Sequence, residues 1–430
     1  MAFLGMRGTG DWVDGQRPLN WREGILRMYP NGSAPLTAIM SKMSKEQVDD
    51  PEFNFWTKTL PQQGGAITGV YTNNTLATPY ATGGNAGDTL YIKMAAATES
   101  EFRIGHQVIL RDTDDPTVDV NAKVTAVVSN AENSYVAVKL LEDDDNGVGG
   151  THDLSDADHI LIIGNINEEG AAMPSAIAYD PVKINQYTQI FRTPVDISRT
   201  ARLTRLRTGK SYNEQKRDAL ELHSIELEKA FLFSVQTEGV GDGGKPERTA
   251  MGYVTALRTY AAANVSHFPF AHSSSTWLDG GENWLDSMLE LCFRNGDNEK
   301  LALCGSGAIL GLKRLIANGV YYQWTPKTVS YGIKVVEWMT PFGTVYLKTH
   351  PLMSHNATYR DSIIVLEPKR LKYRYITDTK FKKDDSEDKT TGHAGYDGTK
   401  EEYLTEAAPE IQFPTTGLFL TGVGTDGAGA

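Results

Sequence analysis

Histidines, cysteines, short glycine turns and acidic runs are the residue types here that would do chemistry, and their spacing decides what each can do. His350 and His355 stand five apart with Pro351 between them. Two metal ligands on one helix face need a three- or four-residue step and no intervening proline. The two cysteines, Cys292 and Cys304, supply neither a four-ligand zinc site nor a disulfide framework. Cys304-Gly305-Ser306-Gly307 has the look of a nucleophile turn but lacks the G-x-S-x-G spacing, and no His or acid is marked as its partner. It is predicted to be a tight turn that starts a helix at 307–317, with Ser306 as its cap. Gly239 to Gly244 follows a helix instead of preceding one, and Gly147 to Gly150 is flanked by acids, so neither suits a phosphate. Asp143-Asp144-Asp145 and Asp384-Asp385 lack the alternating calcium-loop pattern and read as solvated loop tips. No metal, cofactor or catalytic group is expected, and no enzyme signature emerges.

One charge feature remains. Arg199, Arg202, Arg205, Arg207 and Lys210 cluster before a long helical stretch, with Lys216 and Arg217 in its first turns and Arg192 upstream. Cations at a helix N-terminus oppose its dipole, which favours an external partner. The alternatives are pairing with the protein's own carboxylates, contact with an acidic neighbour, and sequence-blind contact with nucleic-acid phosphates. Large exposed-looking aromatics, Trp12, Trp21 and Trp56, join these basic residues as candidate intersubunit or DNA-facing contacts.

These residues sit on a chain of ordinary globular composition: 430 residues, 40% hydrophobic and 22% charged. Acids outnumber bases by 54 to 42, a net charge of −12. That balance argues against a dedicated nucleic-acid binder. No apolar run approaches the about 20 residues of a membrane helix. Met1 to Asp11 has no secretory pattern, so folding in a reducing cytoplasm is expected. The 41 glycines point to many turns and a β-rich portion with long loops.

Residues 1 to about 50 are too broken by Gly and Pro for a normal helix, yet carry Phe3, Leu4, Trp12, Trp21, Ile25, Leu26 and Leu36. An arm of this kind needs another surface to cover it. Extended pieces follow at Phe53 to Leu60, Ala66 to Tyr71 and Thr89 to Met94, the last two separated by the turn-rich Asn73 to Gly87. Phe102 to Leu110, Ala122 to Ser129, Tyr135 to Leu141 and His159 to Gly164 read as strands of a small barrel or sandwich. Tyr187 to Ile197 reads as one long strand. Ser211 to about Gln236 has no Gly or Pro and predicts a helix of roughly 40 Å. Its predicted apolar stripe is Leu220, Ser224, Leu227, Phe231 and Val235. Beyond 271 the pattern alternates: helix Asn283 to Phe293, strand Lys300 to Cys304, helix Gly307 to Ala317, and a hairpin of Ile333 to Met339 with Thr344 to Thr349. Strands at Ser362 to Leu366 and Leu371 to Ile376 precede a hydrophilic run, Thr377 to Glu402, and a closing strand, Tyr403 to Phe413.

This order resembles the major capsid proteins of tailed bacteriophages with the Hong Kong 97-type fold, in the branch with a β domain inserted in the extended loop. Tyr187 to Arg192 and Val195 to Ser198 are similar to the returning strand of that loop, Glu214 to Phe233 to the spine helix, and Arg248 to Gly252 to the segment beyond it. Phe102 to Gly105, Ile163 to Asn165 and Glu168 to Gly170 are similar to the edges of the inserted domain, and Phe342-Gly343 to the axial hairpin. The resemblance implies an α+β fold. Its parts are an N-terminal arm (1–50), an outgoing loop (51–97), an inserted all-β domain (98–170) and a returning loop (171–198). A peripheral domain (199–270) holds the spine helix at about 211–236. An axial domain (271–402) has its hydrophilic tip at about 377–402, and a closing strand and tail follow (403–430).

The implied function is a major capsid protein whose pentamers and hexamers form an icosahedral shell around double-stranded DNA. Implied partners are copies of itself, a portal, separate scaffolding or decoration proteins, and DNA through non-specific contact, with no membrane. The implied place is the virion, assembled in the host bacterial cytoplasm. A large fused scaffolding domain is not expected before residue 50. Crosslinking is not expected either, since neither Lys58 nor Asn356 stands out in a suitable trio. Two other functions compete: a β-rich decoration or surface-binding protein using residues 98–170, and a hydrolase with paired carboxylates.

Overall fold

The computed structural model describes residues 44–427 and 429, apart from 59, 116–117, 131, 145–152, 171, 205–210, 318–322, 329–333, 384–396 and, at the end, 428; side chains at 211, 323–328 and 334–335 also lie outside the description. The chain forms two compact units, one from Trp56–Val182 and the other from the chain on either side of it.

Period-two alternation builds the Trp56–Val182 unit. Leu90, Ile92 and Met94 point one way from Thr89–Met94, as do Val120, Ala122 and Val124 from Asp119–Val128 and Val136, Val138 and Leu140 from Tyr135–Leu140. Strands with one apolar face close into a barrel to bury it and lose their free edges in doing so. The closed order is Gly64–Tyr71, Thr89–Met94, Tyr135–Leu140, Asp119–Val128, His106–Arg111 and His159–Asn165, antiparallel at every step. The unit is therefore larger than the 98–170 read from sequence. Two strands before residue 98 complete the barrel. The turn-rich stretch after Tyr71 is an internal connection, tied down by buried Tyr80, whose N–H reaches Val70 O at 2.9 Å and whose hydroxyl receives Gly84 N–H at 2.7 Å.

In the second unit, Glu52–Thr57 pairs with Val182–Tyr187, and the chain then enters a four-stranded sheet. Its order is Lys45–Gln47, Leu371–Lys382, Gly398–Ile411 and Gln189–Ser198. The last two, here the closing strand and the return strand, pair antiparallel over ten residues from Gln189↔Ala407 to Ser198↔Gly398. Phe191, Thr193, Val195 and Ile197 alternate inward under the spine helix, Ser211–Phe233. This sheet also takes up much of the predicted axial tip. Thr377 to Lys382 pairs with Glu406 to Glu402 of the closing strand, while Gly398 to Glu402 pairs with Ser198 to Pro194 of the return strand, and the mixed charges there include the pair Lys382–Glu402 at 3.5 Å. Residues 384–396 of that run lie outside the description.

The seven-stranded sheet has the order Val265–His267, Leu418–Thr421, Ile363–Leu366, Glu299–Cys304, Gly343–Thr349, Lys334–Thr340 and Gln323–Thr328. Helices Trp277–Phe293 and Ser306–Ala317 share one apolar core with it. The predicted hairpin is there, closing at Thr340↔Gly343. Ser306 is the first helical residue, not a cap, and its N–H goes to Ser354 Oγ at 3.1 Å. The first of these helices begins six residues earlier than the sequence suggests. Gly280-Gly281 reads as a break, but a Cβ at Gly281 would lie 2.8 Å from the Trp277 ring, so the glycine makes room for a buried indole. Asp426 Oδ1 accepts the Trp277 N–H at 2.8 Å and caps that helix from the far end of the chain.

Where the spine helix ends, Gly252 lets the next segment cross it. A Cβ there would meet Ser234 N at 2.7, Phe233 N at 2.8 and Ala230 O at 2.9 Å, all backbone atoms that cannot swing aside. Gly252→Ala is expected to destabilise the chain by about 1–3 kcal/mol. Gly239→Ala, where a Cβ meets nothing within 4 Å, should stay within about 0.5 kcal/mol. Chemical denaturation of the two variants side by side checks this.

Candidate functional site: the spine helix and its contact surfaces

The spine helix turns one narrow face inward. Ala219, His223, Leu227 and Phe231 follow one another at four-residue steps, with Glu228 and Leu232 beside them. The stripe drawn from sequence shares Leu227 and Phe231 but is out of phase in the first half. Leu220 is 41% and Val235 60% exposed, while His223 and Glu228 are fully buried. Phe231 meets Phe191 and Tyr373 edge-on, with ring centroids 6.1 and 6.2 Å apart. Such contacts are apolar and largely non-directional, so the polar pair sets the register.

Each polar side chain has its partners. His223 Nδ1 lies 2.9 Å from Thr193 Oγ1 on the return strand, and its Nε2 lies 2.7 Å from Thr405 Oγ1 on the closing strand. Glu228 Oε1 lies 2.8 Å from Nε2 of His350, which is also fully buried. His350 Nδ1 accepts the Met353 N–H at 3.3 Å and caps helix Pro351–His355, which leaves the ring proton on Nε2 to donate to Glu228. One helix is thus fixed both to the four-stranded sheet and to the end of Gly343–Thr349 in the seven-stranded one.

A second anchor holds the chain where it enters this unit. Gln186, 1% exposed, donates from Nε2 to Met251 O at 2.9 Å and Pro409 O at 3.0 Å, and its Oε1 accepts from Met251 N at 2.8 Å. Gln189 Oε1 adds the N–H of Ala250 at 3.2 Å. A third polar node lies in the seven-stranded module. The buried Lys300 Nζ donates to Thr416 O at 2.7 Å and Asn295 O at 3.0 Å, and burial lowers its pKa. The Cys292 thiol donates to the same Thr416 O at 3.3 Å and is pushed up to about 11 by burial; burial raises Cys304 as well. Both cysteines are buried thiols with no disulfide. Among the described residues no group of three His, Cys, Asp or Glu side chains is placed to hold a metal.

The basic residues singled out from sequence are engaged by their own chain wherever they are described. Arg192 pairs with Glu402 at 2.6 Å and Arg199 with Asp397 at 2.7 Å, both at the surface, where such pairs are worth little. Arg202 donates to Thr399 Oγ1 at 2.9 Å and lies over the Tyr212 ring at 5.1 Å. Lys216 sits 3.6 Å above the Phe381 ring, and Arg217 meets Glu221 at 3.4 Å. The sheet and the helix start bring Arg192, Arg199 and Arg202 near carboxylates and hydroxyls of the closing strand and its approach. Arg205, Arg207, Lys210, Trp12 and Trp21 lie outside the described residues. Trp56 is described and 63% exposed.

Trp56 has company among exposed apolar groups: Met173 at 93%, Phe270 at 85% and Val240 at 79%. These side chains are available for other chains to cover. The profile of the SU10 major capsid protein family matches residues 9–424, and the chain belongs to that family. It is a phage major capsid protein, a structural component of the virion. The major capsid protein of Pseudomonas phage PaMx41 is 24% identical over 358 residues, covering 82% of this chain and 77% of the relative. Among solved structures, similarity extends to Microbacterium phage Oxtober96 (10% identity, 96% of this chain and 97% of that one, TM-score 0.43). It extends also to Mycobacterium phage Cain (9%, 98% and 96%, TM-score 0.43). The order of elements, from return strand through spine helix to seven-stranded module and closing strand, is the order that the Hong Kong 97-type resemblance implies, in an α+β chain with an all-β insertion.

Sequence reasoning missed Gln186, His223, Glu228 and His350 as structural anchors. The signal was present for two of them: a stripe started at Ala219 runs through His223 and places Glu228 beside Leu227. Removing one partner of the Glu228–His350 pair, as in Glu228→Leu or His350→Leu, should cost about 3–5 kcal/mol, whereas the two substitutions together should cost less than the two single losses added. Gln186→Leu, which strands three buried backbone groups, should cost about 1–3 kcal/mol or more. Urea unfolding of the full chain reads all three.

Proposed function

We propose that the chain assembles into pentamers and hexamers of an icosahedral shell that encloses double-stranded DNA, forming in the cytoplasm of its bacterial host. The observation that carries this reading is the match of residues 9–424 to the SU10 major capsid protein family, in a chain that exposes Trp56 on strand Glu52–Thr57 and also Met173, Val240 and Phe270. A shell subunit would cover such groups with its neighbours. The apolar arm of residues 1–50, with Trp12 and Trp21, would find its cover in the same way. Arg205, Arg207 and Lys210 would meet either an acidic neighbour or DNA phosphates, since Arg192 and Arg199 already have carboxylates of their own. A portal and separate scaffolding or decoration proteins complete the set of partners. The inserted barrel would serve as a spacer or contact module in the shell, and the chain's role is structural, with no catalysis assigned to it.

Sedimentation and negative-stain microscopy of the purified chain, alone and together with a scaffolding or portal protein from the same genome, test this. Rings of five and six or closed shells are the expected result; a monomer under every condition would contradict it. Trp56→Ser should leave the fold intact and raise the concentration needed for assembly by about tenfold, the effect of losing roughly 1.4 kcal/mol from an interface aromatic. Unchanged assembly would remove Trp56 from the interface.

A further inference from the structure

His223 occupies the middle of the contact between the spine helix and the four-stranded sheet, and it is fully buried. Its two ring nitrogens meet two threonine hydroxyls from different strands, Thr193 and Thr405. Both hydroxyls continue outward. Thr193 Oγ1 faces Glu226 Oε2, on the histidine's own helix, at 3.5 Å. Thr405 Oγ1 lies 2.8 Å from Thr379 Oγ1 on strand Leu371–Lys382. The ring is therefore the centre of a five-member chain, Glu226–Thr193–His223–Thr405–Thr379, that touches the helix and three strands. The titratable and charged groups facing it are Glu226 from the helix and Tyr403 from the closing strand, whose ring centroid is 6.1 Å away. The return strand and Leu371–Lys382 face it with the hydroxyls of Thr193 and Thr379.

Donor counting gives this chain two arrangements. A neutral imidazole has one N–H, so one threonine must donate into the bare nitrogen while the other accepts. An imidazolium has two, so both threonines must accept and turn their own protons outward, Thr193 toward Glu226 and Thr405 toward Thr379. The second arrangement places a full charge inside the helix–sheet contact, and its nearest counter-charge stands one hydroxyl away across the longest bond of the chain. The geometry points to His223 as a proton-sensitive clamp that holds the spine helix on the sheet while its ring is neutral and weakens that hold when the ring is charged.

Burial lowers the pKa of His223 below the ordinary imidazole value, with Glu226 partly opposing the shift. A base depressed in the folded state binds its proton more readily when unfolded. The clamp's contribution is therefore complete above about pH 6.5, the ordinary value for imidazole. It is lost as pH falls from there through the lowered folded value. One proton's difference changes the unfolding equilibrium by at most about tenfold per pH unit. His106, in the Trp56–Val182 unit, is also lowered by burial and by Arg103, and contributes over the same range. The depressed carboxylates Asp158, Asp297 and Asp378 act lower, below the ordinary carboxylate range.

The test is the pH dependence of the unfolding equilibrium of the full chain between pH 8 and 5, for the wild type, His223→Gln and His106→Gln. Glutamine keeps a donor and an acceptor but does not titrate. His223→Gln is expected to reduce the acid slope below pH 6.5 by up to about tenfold per unit, and His106→Gln should retain the His223 part. A slope in His223→Gln equal to that of the wild type overturns the clamp. If His223→Gln does not fold, the histidine ring signals of the wild type decide by NMR. The His223 ring, assigned through its proximity to Thr193 and Thr405, staying neutral below pH 6.5 while the exposed histidines charge supports the clamp; charging of that ring at or above 6.5 overturns it.

Discussion

A 23-residue helix laid on a sheet by apolar contacts alone can slide and roll, because leucine and phenylalanine side chains tolerate many registers of similar energy. Two inward polar groups remove that freedom. His223 must meet Thr193 and Thr405, and Glu228 must meet His350, or buried polar groups lose hydrogen bonds at a cost larger than any single apolar contact supplies. The register of the spine helix then fixes much else in its unit: which strand lies under it, where its end meets Gly252, and which side chains it leaves outward. In a capsid protein the outward set is what neighbouring copies would read, so fixing the inward face also fixes the surface.

The same logic operates at the entry to the sheet. Gln186 satisfies backbone groups of Met251 and Pro409, which belong to segments 65 and 223 residues away in sequence, so a single amide closes long loops that apolar packing would close only loosely. In the Trp56–Val182 unit the staple is the Tyr80 hydroxyl, and the closed sheet does the rest. A closed antiparallel barrel has its hydrogen bonds paired around the circuit and its valines and isoleucines enclosed, which makes insertion of that unit into an otherwise continuous chain structurally tolerable. Lys300 and Cys292 in the seven-stranded module follow a different pattern: both donate to Thr416 O and tie a strand and a helix to the turn Pro414–Thr416 without any ion pair to desolvate.

What could be read in the sequence was whatever depends on local pattern. The absence of Gly and Pro from Ser211 onward gave the long helix almost to its ends, and alternation gave the barrel strands and the hairpin at Thr340 and Gly343. What could not be read depends on distant partners. The barrel's first two strands looked like parts of a loop because the turn-rich stretch between them is stapled only in three dimensions, by Tyr80. The hydrophilic run beginning at Thr377 looked like a solvent tip, yet its two described ends are strands of the sheet under the spine helix, with Lys382 and Glu402 as cross-strand neighbours. The apolar stripe was drawn out of phase because a buried histidine and a buried glutamate are scored as surface residues until Thr405 and His350, more than a hundred residues away, are known to meet them. The arginines illustrate the converse: a local cluster suggested an external partner, and Glu402, Asp397 and Thr399 from the closing strand and its approach answer three of its members.

The central claim is that the spine helix and the two strands beneath it form one cooperative body, locked in register by buried polar contacts. Backbone amide hydrogen exchange of the full chain measures this most directly. The amides of residues 219–233 should share the slowest class with those of Gln189–Ser198 and Gly398–Ile411, and all three should open together as denaturant is added. Exchange of the helix well ahead of the two strands, through an opening of its own, would contradict it.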